Sequence, residues 1–139
     1  MADCVTDRMP FNVVAVDVGG TKIAYALLSY TTQDACPEIL CNGEVPTNAR
    51  RGGDGVRETI VSVVGEMIAE SKLPVLGIGV GTAGVVDRET GVIVSANGIM
   101  PGWGGQELGP CLEMTYQLPV AVMGDVHAHA LGEDRKSVV

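Results

Sequence analysis

No apolar run in this 139-residue chain reaches the ~18 residues that a membrane-spanning helix needs. The N-terminus, Met1-Ala2-Asp3-Cys4, has neither the basic block nor the apolar block of a secretory signal. The expected compartment is therefore the cytosol, with no membrane partner. Positive charge is also scarce: 9 Lys and Arg stand against 17 Asp and Glu, and a net charge of −8 repels a phosphate backbone. Nucleic acid is not an expected partner. The four cysteines, Cys4, Cys36, Cys41 and Cys111, include no CxxC pair and no histidine at zinc-ligand spacing. That argues against a metal centre and a disulfide framework, and they read as buried or idle thiols. Internal repeats, linkers and low-complexity tracts are absent as well.

What is present suffices for one domain with a real core: 46% of the residues are hydrophobic and mean hydropathy is +0.26. Glycine is the one excess. Its 19 copies gather at Gly19-Gly20, at Gly52, Gly53 and Gly55, from Gly77 to Gly84 and from Gly98 to Gly105. Such clusters mark sharp turns or close approach of backbone to something else, so function is sought there first.

Residues 11–18 form a β-branched run that meets Gly19-Gly20, and residues 22–29 resume as a second strand, which predicts a hairpin. A third strand is expected over 39–45. From Asp54 the period changes: Val56, Ile60, Val63, Val64, Met67 and Ile68 share one helical face, predicting a helix over 54–72 with Asp54 as N-cap. Residues 74–80 are continuously apolar, the pattern of a strand covered on both faces, and end at the turn Gly81-Thr82-Ala83-Gly84. A small hairpin (85–87 with 91–95), a loop (97–105), a short helix (107–117, with Leu108, Cys111 and Leu112 inward), a last strand (119–122) and the start of a helix (126–133) complete the pass. The order β-β-β-α-β-α-β-α is a mixed α/β layout.

The segment Asp17-Val18-Gly19-Gly20-Thr21-Lys22 lies between two strands, so neither a Walker A loop nor a dinucleotide fingerprint fits. A glycine hairpin can still hold phosphate: Gly19 and Gly20 would expose backbone N–H groups, Thr21 adds a hydroxyl, and Asp17 could orient Mg²⁺ through water. The plain alternative is a turn and nothing more. Asp125, just after the last strand, would stand where open α/β sheets bind ligands and could accept the proton of an attacking hydroxyl. Alternatively it caps the helix that follows. His127 and His129, two apart on a helix, make a poor chelate and read as helix surface or packing. Trp103, the only tryptophan, either stacks on a sugar face or anchors its glycine-rich loop in the core.

Three stretches together, VVAVDVGGTKIAYALL at 13–28, GIGVGTAGVVDRETGVIVSANGIMPGW at 77–103 and LPVAVMGDVHAHALGE at 118–133, resemble the ROK family (repressor, open reading frame, kinase) of sugar kinases and sugar-responsive repressors. The resemblance implies an N-terminal lobe of the actin-like ATPase (ribonuclease H-like) fold over residues 11–133, after an N-terminal extension at 1–10. It implies ATP-dependent, Mg²⁺-assisted phosphorylation of a hexose or N-acylhexosamine. Asp125 would be the general base; Asp17, Gly19, Gly20, Thr21 and Lys22 would be the first phosphate loop; Gly84, Asn97 and Trp103 would border the sugar. One departure is informative: family members usually carry Asn before the catalytic Asp, and here the position is Gly124, which should weaken reading of sugar hydroxyls.

By the same resemblance, the C-terminal lobe is missing, with its second phosphate loop, adenosine pocket, Glu-x-Gly-His sugar motif and, in many members, a cysteine-rich zinc site. Residues 134–139 break the expected helix and read as a non-native tail, so a truncated gene product, inactive alone, is expected. The full-length protein would be a homodimer. The rivals are a sugar-sensing repressor of the same family, against which the roughly ten residues before the first strand leave no room for a helix-turn-helix unit, and an inert sugar-binding lobe.

Overall fold

The computed structural model describes residues 10–31, 36–95 and 101–124. Strands β1 (Phe11–Val18), β2 (Lys22–Tyr30) and β3 (Glu38–Pro46) form an antiparallel meander, followed by a 3₁₀ turn at Ala49–Arg51 and helix α1 (Gly52–Glu70). Strand β4 (Val75–Thr82) leads to the hairpin of β5 (Val85–Asp87) and β6 (Val92–Ser95), then to α2 (Leu108–Tyr116) and β7 (Val120–Gly124). The main sheet has the order β3-β2-β1-β4-β7, antiparallel through the meander and parallel for β1-β4 and β4-β7. This is the mixed α/β layout the patterns predicted. Its final helix, expected over 126–133 together with His127 and His129, lies outside the described residues, as does Cys4.

Strand alternation sorts the side chains. Val14, Val16 and Val18 of β1 stand in register with Ile78, Val80 and Thr82 of β4, and all are buried on one face. Helix α1 lays Val56, Ile60, Val63, Val64 and Met67 on that face, and α2 adds Leu108 and Leu112. Burying side chains of this size stabilises each by about 1.5–3 kcal/mol. Tyr25 leans over the glycine of the neighbouring strand: a Cβ on Gly43 would lie 2.6 Å from its hydroxyl. The opposite face carries small residues, with Ala15, Gly79 and Ala121 in one cross-strand row.

Several boundaries differ from the sequence pattern, each for a local reason. Helix α1 begins at Gly52, two residues before Asp54, because the 3₁₀ turn feeds directly into it. Its N-cap position is Arg51, with no side-chain cap; Asp54 sits in the first turn instead. The helix ends at Glu70, where Ser71 turns extended. Strand β4 continues to Thr82, since pairing with both β1 and β7 extends that far and overrides the glycine. Among the cysteines, Cys36 is exposed and Cys41 and Cys111 are half-buried. The Cys41 thiol lies 3.7 Å from Met67 Sδ.

Candidate functional site

Because β1, β3, β4 and β7 all run in one direction, their C-terminal ends share one edge of the sheet. That edge collects the Gly19-Thr21 turn, the Thr47–Arg51 segment, the Thr82-Gly84 turn and Gly124. Crevices at strand C-terminal ends are where open α/β sheets bind ligands.

The glycine turn is narrower than its sequence suggests. Gly19 donates its N–H to the Lys22 carbonyl at 2.9 Å, which closes the hairpin and removes that amide from any ligand. Neither Gly19 nor Gly20 has positive φ. The need for glycine at 19 is steric: a Cβ would stand 3.1 Å from the Lys22 carbonyl oxygen. The amides of Gly20 and Thr21 and the Thr21 hydroxyl have no hydrogen bond among the described residues. They are the donors left for an anion. Lys22 spends its charge on Glu44, 3.0 Å away on the exposed surface.

Asp17 is exposed near the end of β1, beside Gly81 of β4 and Ala24 of β2. A Cβ on Gly81 would stand 3.7 Å from its Oδ1, an ordinary contact, and the carboxylate is open by its own exposure. It borders a hollow of about 490 Å³ shared with Ala24, Asn42 and Glu44. Among the described residues no three His, Cys, Asp or Glu side chains converge as a metal site. A water-mediated cation at Asp17 fits its open carboxylate.

Thr47, which no sequence pattern singled out, ties this edge together. It is wholly buried; its hydroxyl donates to the Gly19 carbonyl at 2.7 Å and its N–H to the Thr21 carbonyl at 3.0 Å. Asn48, with left-handed φ of 52°, then turns the chain into Ala49–Arg51. A Thr before a turn is too common for the sequence to flag, since both of its partners are backbone carbonyls contributed by another strand pair.

On the β4 side, Ala83 donates its N–H to Val18 at 3.4 Å, and Gly84 takes φ of 101°, open to glycine at little cost. The Gly84 carbonyl packs onto Gly124: a Cβ there would lie 2.4 Å from the Gly84 oxygen. The space an asparagine would need is filled by backbone. Of the two roles weighed for Trp103, the structure gives the loop anchor: the ring is fully buried, and its Nε1–H donates to the Thr82 hydroxyl at 2.9 Å. Burial of the ring corrects the stacking expectation, since no aromatic face is left for a sugar. Two glycine clusters far apart in sequence also meet, because a Cβ on Gly53 would fall 2.0 Å from the Gly102 carbonyl. Asn97 and Asp125 lie outside the described residues; Gly124, which precedes Asp125, ends β7 at this edge.

The chain is 37% identical over 123 residues to a glucokinase of Halalkalibacterium halodurans, covering 86% of this chain and 35% of that protein. It superposes on a ROK hexokinase from Thermus thermophilus with a TM-score of 0.70 and 31% identity, over 89% of this chain and 38% of that one. A ROK family glucokinase from Streptomyces griseus, solved with glucose and AMPPNP, gives a TM-score of 0.70 at 29% identity, over 89% and 36% of the two chains. The chain thus spans little more than a third of the length of these relatives, and its sheet is that of an actin-like ATPase lobe. With the ROK family model matching residues 13–137, nearly from the first strand to the end, this chain belongs to the ROK family.

Proposed function

We propose that the chain is the N-terminal lobe of a sugar kinase that transfers the γ-phosphoryl group of ATP to a hexose or N-acylhexosamine hydroxyl. The supporting observation is that Gly20 and Thr21 keep their amides unpartnered at the ligand-binding edge of a lobe belonging to this family. When bound, Mg·ATP would supply the phosphoryl group and part of the charge that neutralises it. The Gly20 and Thr21 N–H groups and the Thr21 hydroxyl hold phosphate oxygens, and Asp17 orients the hydrated cation. Asp125 takes the proton from the sugar hydroxyl as its oxygen bonds to phosphorus and the bond to the ADP oxygen breaks. The Gly84 turn, Asn97 and the loop carried by Trp103 border the sugar, Trp103 by positioning the loop.

Phosphoryl transfer of this kind works by positioning and charge stabilisation between two lobes, so the 139 residues alone turn over no ATP. The remaining length found in the relatives supplies the second lobe and the adenosine pocket. Gly124 in place of an amide side chain lowers affinity and discrimination among sugars. The test is a hexose and N-acylhexosamine panel with Mg·ATP on the full-length protein, beside its Asp125→Asn variant. Sugar-dependent ADP release that the variant loses is the expected result. Sugar binding without ATP consumption would sink the transferase reading and leave a sugar-sensing member of the family.

A further inference from the structure

Positive charge is rare in this chain, and among the described residues Arg50 and Arg51 are placed without a carboxylate, unlike Lys22 and Arg57. Lys22 pairs with Glu44, and Arg57 donates to Gln106 Oε1 at 2.8 Å and lies 3.8 Å from Asp54. Arg50 has no hydrogen bond or ion pair among the described residues, and the Arg51 guanidinium reaches only the neutral hydroxyl of Thr59. The acid in the first turn of α1, Asp54, is occupied by Gln106 and Arg57. Two adjacent guanidiniums without a carboxylate, in a chain of net charge −8, form a local positive field.

Their position is built. Left-handed Asn48 turns the chain, the Arg51 N–H donates to the Asn48 carbonyl at 2.9 Å, and Thr47 fastens the segment to Gly19 and Thr21. Between the two turns lies a cavity of about 690 Å³, whose lining includes Gly20, Thr21, Asn48, Arg50, Arg51 and Pro101. Among the described residues, no carboxylate lines this cavity. The unpartnered donors of the glycine turn and two guanidiniums that meet no carboxylate among the described residues thus share one space.

We propose that Arg50 and Arg51 are the cationic wall of a phosphate subsite whose other wall is the Gly20-Thr21 turn. The ligand is a phosphoryl group, held by amide N–H groups on one side and by the planar forks of two guanidiniums on the other. It belongs either to the polyphosphate tail of the donor or to the phosphate ester of the product. The proposal rests on the phosphate reading of the glycine turn and adds a second binding element to it.

The experiment is isothermal titration of the full 139-residue chain at low salt with inorganic tripolyphosphate, AMPPNP and glucose 6-phosphate. Amide chemical shifts of Gly20 and Thr21 are followed in parallel. In R50A/R51A, binding is expected to weaken by roughly ten- to a hundredfold, and R50K/R51K to fall between, because lysine keeps the charge and loses the fork. Lys72→Ala, beyond the opposite end of α1, leaves binding unchanged. A response to tripolyphosphate and AMPPNP assigns the subsite to the donor, and one confined to glucose 6-phosphate assigns it to the product. Equal affinity of the wild type and R50A/R51A, with the Gly20 and Thr21 shifts intact, would overturn the subsite and spare the glycine-turn reading. Absence of binding by any of the three probes would remove both.

Discussion

The Thr47 hydroxyl donates to the Gly19 carbonyl at 2.7 Å, and this one contact joins the hairpin turn after β1 to the segment that leads into α1. With the Thr47 N–H on the Thr21 carbonyl, it sets the spacing between the donors of the glycine turn and the arginine pair.

Replacing Thr47 by Val keeps the volume and removes the hydroxyl, leaving the half-buried Gly19 carbonyl without that donor. A loss of ~1–3 kcal/mol in unfolding free energy is expected, read as a lower urea midpoint at unchanged m-value. Thr47→Ser, which keeps the donor, should lose less. Equal stability of the Val variant would mean that the bond contributes nothing net.

Trp103 should report its burial directly. Its emission, the only tryptophan signal in the chain, is expected to resist acrylamide quenching in the native state and to lose that protection on unfolding. Trp103→Phe removes the donor to Thr82 and part of the ring, for a cost of ~1–3 kcal/mol. Ready quenching in the folded chain would contradict the loop-anchor role.

Gly124→Ala tests the backbone contact at the end of β7. The added Cβ meets the Gly84 carbonyl at 2.4 Å, so the Gly84 turn must move and stability should fall by ~1–3 kcal/mol. Gly53→Ala meets the Gly102 carbonyl at 2.0 Å and should be at least as damaging. Gly79→Ala, with nothing within 4 Å, is the control and should be nearly neutral. Thermal midpoints of the three variants order them.

Tyr116 ties α2 to α1 by donating to the Val61 carbonyl. Burial raises its pKa above 10.0, a backbone hydrogen bond at Gly65 partly offsets this, and the Cys111 charge adds to the rise. A phenol harder to ionise in the folded state contributes stability that is full below the unfolded pKa and is lost as pH climbs through the folded one. Unfolding free energy of the wild type should therefore drop above about pH 10 more steeply than that of Tyr116→Phe. The variant itself should be less stable by ~1 kcal/mol at neutral pH. Parallel pH curves for the two proteins would refute the assignment.

The strands and helices were legible because each writes its period locally. The β-branched runs of β1 and β2 flank a turn, and the α1 face from Val56 to Met67 repeats at helical spacing. The start of α1 is hidden in the sequence because the 3₁₀ turn before it carries no apolar period, and Asp54 resembles a cap without acting as one. At the site, the sequence marks the glycine turn but not which of its donors stay free: whether Gly19 gives its N–H to Lys22 is a matter of hairpin geometry. Thr47, Arg50 and Arg51 carry no local signal, because nothing near them in sequence says what they face.

The linear chain by itself determined the order of elements, the faces they bury, the positions where backbone had to lack a side chain, and the family to which they belong, since all of these are encoded in short-range pattern and composition. Only the tertiary structure decided which glycine meets which carbonyl, that Trp103 faces inward, and that Arg50 and Arg51 border the same cavity as Gly20 and Thr21. Those outcomes depend on strand register and on crossovers that bring together residues tens of positions apart, and no local period records them.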